Sequence, residues 1–145
     1  MTKWPLALTM AWACRPMAVD SRQAASTASS LPLESMSHVD AERAGAVGTG
    51  CTWRGGTDRT ARLSMADDRA AVRRNGIVVA LRPAADAKAL FFTYDRWTGV
   101  GLRIVVRDSG QVVSRGHEFS KTVAWITMTA GGLTRTWQGH LNCGS

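Results

Sequence analysis

Long apolar runs are missing from this sequence, and no stretch approaches the roughly 20 residues that a membrane-spanning helix requires. Cysteine is scarce, with three in 145 residues. There is no CxxC pair and no Cys/His spacing of the kind that holds zinc, so no metal is expected. A phosphate-cradling glycine loop, GxSxG and HExxH are all absent, which leaves the common motif-borne hydrolases and nucleotide enzymes without support and implies no cofactor. Acidic side chains are also few, 11 against 18 basic ones, for a net charge of +7. What is present, 45% hydrophobic and 20% charged residues, is ordinary globular composition at the length of one domain.

The charge is unevenly spread. Residues 1–50 carry four basic and four acidic side chains, whereas residues 51–145 carry 14 and seven. The excess therefore belongs to the last 95 residues. A basic surface draws anions by its long-range field without choosing among nucleic acid, lipid head groups and acidic polymers. Of the 18 basic residues 15 are Arg, a bias that GC-rich coding produces unaided.

The opening has a positive residue at Lys3, an apolar stretch from Trp4 to Ala13, and then Ala11-Trp12-Ala13-Cys14. This is the three-part layout of a secretory signal with a small-x-small cleavage site, and it predicts a signal peptide over residues 1–14. At Ala13-Cys14 the sequence resembles a bacterial lipoprotein signal. That resemblance implies acylation of Cys14 and a membrane-anchored lipoprotein of the periplasm; cleavage near Ala28 to a secreted soluble form is the alternative. Residues 15–50, with Ser26, Ser29 and Ser30 among alanines, are expected to be a flexible linker. One short helix is expected within it, because Ser37 and Asp40 match a capping box and Gly45 offers a stop.

The remaining cysteines, Cys51 and Cys143, stand at the two ends of the basic segment. In an oxidising compartment a bond between them would close a loop of about 90 residues, worth on the order of 4 to 5 kcal/mol in the chain-entropy model. Two separate thiols are the other possibility.

From Cys51 on, the apolar pattern has period two and is punctuated by turn residues. Nine candidate strands result: 50–54, 61–65, 70–73, 77–82, 90–94, 101–107, 111–115, 122–129 and 133–143. Gly55-Gly56, Asp67-Asp68, Asn75-Gly76, Thr98-Gly99, Ser109-Gly110 and Gly131-Gly132 supply the connections. Short sequential loops join antiparallel neighbours. The expected fold is thus an all-β antiparallel meander over residues 51–145, a small barrel or strongly curved sheet of about eight strands, with Cys51 and Cys143 at its seam. Leu102, Ile104 and Val106 read as core, with Arg103 and Arg107 outside. The strand from Thr122 is apolar on both faces, Val123, Trp125 and Thr127 on one and Ala124, Ile126 and Met128 on the other, which suggests a second contact surface. Trp53, Trp125 and Trp137 are expected in the core.

Trp97 is set apart, because Tyr94 to Gly99 reads as a hairpin tip and tips carry contact residues. The candidate partner-binding residues are Arg96, Trp97, Thr98, Gly99, Gly101, Arg103 and Arg107, meeting an anionic envelope component or an envelope protein. His117, Glu118 and His140 are the available acid/base groups, and they support a small hydrolase only if a turn brings the first two together. Arg96-Trp97 and Arg135-Thr136-Trp137 interleave charge and aromatic as single-strand binders do, but no RNP-like signature accompanies them and no nucleic acid is expected.

A lipid-tethered small barrel with terminal cysteines resembles the membrane-bound inhibitors of C-type lysozyme. The likeness rests on Cys51, Cys143, Asn75-Gly76 before a strand ending at Leu81, and Thr98-Gly99-Val100-Gly101. It implies an inhibitory loop over Trp97 to Gly101, entering the cleft of a cell-wall-degrading enzyme. The reading favoured by charge is a non-enzymatic binding module, with inhibitor, small hydrolase and nucleic-acid binder as alternatives.

Overall fold

A computed structural model describes residues 31–145. Cys14 and the expected signal peptide lie outside the described residues, as does the first part of the linker. Ten strands and one helix follow in chain order: α1 (His38–Arg43), β1 (Gly50–Gly55), β2 (Leu63–Ala66), β3 (Arg69–Arg74), β4 (Ile77–Pro83), β5 (Ala89–Leu90), β6 (Thr93–Tyr94), β7 (Arg96–Gly99), β8 (Leu102–Arg115), β9 (Phe119–Ala130) and β10 (Leu133–Gly144). Eight of them close an antiparallel barrel in the order β1-β10-β9-β8-β7-β4-β3-β2. Apart from the small β5–β6 ribbon, which stands outside it, this is the expected meander with its first and last strands paired.

Closure leaves no free edge at the chain ends, and a covalent bond holds that seam. Cys51 and Cys143 sit directly opposite each other in the β1–β10 register, 4.1 Å apart between Cα atoms, and form a disulfide. The narrowest join lies across the barrel, where β4 meets β7 through Arg82↔Thr98 and Pro83↔Trp97.

The interior follows from strand alternation. Trp53, Leu63, Met65, Val72, Leu81, Leu102, Ile104, Ile126, Met128 and Leu141 are fully enclosed. Trp53 donates its indole N–H to the Ala124 carbonyl at 3.2 Å, so its polar atom is satisfied inside the core. Its ring lies against Gly139, where an added Cβ would stand 2.6 Å from Trp53 Cζ2. Only glycine lets β10 pass that close.

Three strand expectations change. Residues 101–107 and 111–115 form one strand, β8, because Ser109-Gly110 makes a bulge rather than a hairpin: Gly110 has φ +74° and the register with β9 shifts between Asp108 and Val112. Residues 90–94 break at Phe91, φ +52°, into the β5–β6 ribbon. Residues 96–99 are a barrel strand instead of a hairpin tip, and the turn falls one step later at Val100-Gly101, both with positive φ.

The linker expected through residue 50 does not extend over residues 31–49, which strap the barrel. Leu31 and Leu33 enter the main core, while Met36, Ala41 and Ala46 pack on Ala71 of β3 as a second small cluster. Glu34 bridges to Arg73 and Met36 to Ala61. The predicted cap is present: Asp40 donates its backbone N–H to Ser37 Oγ at 3.1 Å, and Ser37 returns its own to Asp40 Oδ2 at 3.2 Å. Gly45 follows the helix with φ +72°.

Candidate functional site

The residues grouped on the sequence as a partner-binding tip separate in space. Trp97 is completely buried, because it alternates with outward Arg96 and Thr98 along β7. Its indole N–H donates to the Tyr94 carbonyl at 2.9 Å, and its ring meets Tyr94 edge-on. A side chain so enclosed touches no partner. Gly99 packs against β4, where a Cβ would come 3.0 Å from the Ala80 carbonyl oxygen. Arg96 and Arg103 converge on Asp86 instead of facing solvent freely, at 3.7 and 2.8 Å. The Arg103 guanidinium holds the Asp86 carboxyl below its ordinary range, chiefly by hydrogen bonding. Thr98 and Gly101 are exposed near the β7–β8 turn.

Arg107 lies on the outer surface. It is exposed on β8, makes no ion pair among the described residues, and lays its guanidinium 5.0 Å from the ring centre of Trp125. Trp125 is half-buried on the outer face of β9, while Ala124, Ile126 and Met128 line the core. Both apolar faces of β9 are thus explained, one by the core and the other by an aromatic platform under an arginine.

The strand register extends this platform into a surface. Arg107 faces Trp125, and Trp125 faces Gln138 of β10. The next row holds Val123, His140 and Arg54, and the one after it Lys121, Asn142 and Thr52. In the opposite direction Thr127 and Thr136 share a hydrogen bond of 2.9 Å, and Thr129 and Thr134 one of 3.1 Å. No acidic residue occurs in β1, β9 or β10. Among the described residues every ion pair but one ties an arginine to a carboxylate: Arg62 to Asp58, Arg69 and Arg82 to Asp68, Arg73 to Glu34 and Asp40, and the Asp86 pairs. The one exception joins His38 to Glu42 within α1. Of the cations that make no ion pair among the described residues, Arg54, Arg107, Arg115, Lys121 and Arg135 lie on β1, β8, β9 and β10, while Arg43, Arg59, Arg74 and Lys88 lie elsewhere.

Trp137 sits at the barrel rim against the core, with Arg135 stacked 4.9 Å from its ring centre. Of the three tryptophans expected inside, only Trp53 is fully buried. His117 and Glu118 are exposed in the β8–β9 turn, on the rim of a cavity of about 430 Å³ shared with Phe91, Phe92 and Phe119. Neither makes a side-chain hydrogen bond among the described residues, so nothing orients them as an acid/base pair. No group of three or more metal-ligating side chains occurs among the described residues. Comparison with protein-family models, with curated proteins and with solved structures finds no match for this chain.

Proposed function

We propose that the protein is an exported, lipid-anchored binding module of the bacterial cell envelope, non-enzymatic, which holds an anionic partner on the outer face of β8, β9, β10 and β1. The observation that carries this reading is the stacking of Arg107 on Trp125 beside Arg54, His140 and Lys121, on a face where β1, β9 and β10 carry no acidic residue. Cations without internal counterions attract anions from solution, and a half-buried indole adds a flat surface for contact. Export is supported by the layout of residues 1–14 and by the Cys51–Cys143 bond, since structural disulfides persist in oxidising compartments.

Binding of the full chain to an acidic polymer such as polygalacturonate tests the module. Affinity should fall steeply between low and physiological salt and should weaken in Arg107→Gln and Trp125→Ala. Salt-independent binding, or binding indifferent to both substitutions, contradicts it. Inhibition of a cell-wall-degrading enzyme is the second reading, favoured by Val100, which is 84% exposed at the two-residue β7–β8 turn. Inhibition that persists in high salt and is lost in Val100→Asp would select it. Intact mass of the membrane-fraction protein tests the anchor: a chain beginning at acylated Cys14 is expected, and a full-length unmodified chain contradicts it.

A further inference from the structure

Beside the Trp125 platform lies a compact cavity of about 180 Å³ lined by Arg54, Gly56, Thr57, Asp58, Arg59, Lys121 and His140. Three strands and a loop bring its basic groups together. Arg54 of β1 faces His140 of β10, Lys121 comes from the adjoining row of β9, and Arg59 is presented by the β1–β2 loop. None of the three cations makes an ion pair among the described residues. The Nε of Arg54 is buried without a hydrogen-bond partner.

The single carboxylate in the lining does not serve them. Asp58 Oδ1 accepts from the Thr60 backbone N–H at 3.0 Å and from Thr60 Oγ1 at 2.6 Å, and Oδ2 accepts from Arg62 Nε at 2.9 Å. These bonds, those to Thr60 foremost, hold its pKa down at about 2. Both oxygens are committed to partners outside the cavity. Like charges gathered around a small space repel unless something negative enters it, and a buried guanidinium N–H without an acceptor is costly.

We propose that this cavity is a phosphate site, taking the phosphate group either as the free ion or as a phosphodiester of a larger envelope molecule. Three cations and an imidazole offer more positive charge and more donors than one carboxylate uses, whereas a phosphate presents several oxygens and up to two charges. Arg54 contributes a guanidinium to the lining from β1, Arg59 a planar fork from the loop, and Lys121 a point charge. The inference rests on the reading of the neighbouring face as anion-binding and names the chemistry of one subsite on it.

The test titrates inorganic phosphate, and separately glycerophosphoglycerol, into the full chain at low salt while the Arg54 Nε–H resonance is followed by NMR. Saturable movement of that resonance is expected, with affinity about tenfold weaker, the equivalent of 1.4 kcal/mol, in Lys121→Gln and in Arg59→Gln; Arg59 is exposed, Lys121 half-buried, and neither makes an ion pair among the described residues. Response to phosphate alone assigns the free ion; response to both assigns a diester-bearing molecule. No saturable movement with either probe, or equal affinity in both variants, overturns the phosphate site. If polygalacturonate still binds under those conditions the anion-binding face survives and only the cavity assignment fails; if it does not bind either, both fall.

Discussion

The two sides of the barrel use arginine differently. On the side formed by β2, β3, β4 and β7, with the strap of residues 31–49 across it, Arg69, Arg73, Arg82 and Arg96 are held by carboxylates, and Arg74 makes no ion pair among the described residues. Arg73 reaches Asp40 at 3.2 Å and Glu34 at 3.4 Å, clamping the strap to β3, and on the adjoining β8 Arg103 closes on Asp86 at 2.8 Å. On the side formed by β8 to β10 and β1, Arg107 lies on an indole, and Arg54, Arg59 and Lys121 surround an acid-free space apart from the committed Asp58. Partnered charges organise a chain, and unpartnered ones act on what is outside it. The same residue type is therefore paired within the molecule at Arg73 and Arg82 and left without an internal counterion at Arg54, Arg59 and Arg107.

The sharpest way to break this contrast is to exchange the roles of two tryptophans. Trp97→Ala opens a cavity in the core and should cost about 3 to 5 kcal/mol in urea unfolding, while Trp125→Ala should cost under about 1 kcal/mol and weaken polyanion binding. Equal costs would contradict the division between core and platform. Next in size is the seam: replacing Cys51 and Cys143 by Ala should remove about 2 to 5 kcal/mol, and adding reductant to the parent protein should reproduce the loss.

Smaller effects separate the arginines. Arg107→Gln should reduce affinity for an acidic polymer several-fold with an unchanged melting temperature, and Arg73→Gln should lower the melting temperature by the equivalent of about 1 kcal/mol or less with unchanged affinity. The smallest is acid sensitivity. Asp58 is depressed from its ordinary 3.8 to about 2 by hydrogen bonds from Thr60 and Arg62, and Asp40 and Asp86 are also lowered. A depressed carboxyl contributes stability that is present above its unfolded value and lost as pH falls through the folded one. Stability should therefore decline from pH 3.8 to about 2, and Asp58→Asn should flatten part of that decline in a pH series of melting curves.

Much of this architecture was legible in the sequence. Alternation over Leu102 to Arg107 fixed the faces of β8, Asn75-Gly76 marked a tight turn, and terminal cysteines at the ends of a meander implied a closed seam. Trp97 was misread because Thr98-Gly99 looks like a turn, yet positive φ falls at Val100 and Gly101. The strap was missed because its apolar residues are few, Leu31, Leu33 and Met36 among serines, so that its order comes from contacts with β3 and the barrel core. Ser109-Gly110 has the composition of a hairpin, and only pairing with β9 across it distinguishes a bulge. Arg107 was identified on the sequence as a surface cation and Trp125 as part of a second apolar face. Their union with Arg54, Arg59 and Lys121 was not legible, because β1 and β9 are far apart in sequence and meet β10 only through barrel closure.

The most direct test of that surface is a map of backbone amide and indole shifts in the full chain as polygalacturonate is added at low salt. Changes concentrated on β8, β9, β10 and β1, with the Trp125 indole among the largest, are the predicted result. Changes centred on the strap and β2 to β4, or spread evenly around the barrel, would contradict the division between the two sides.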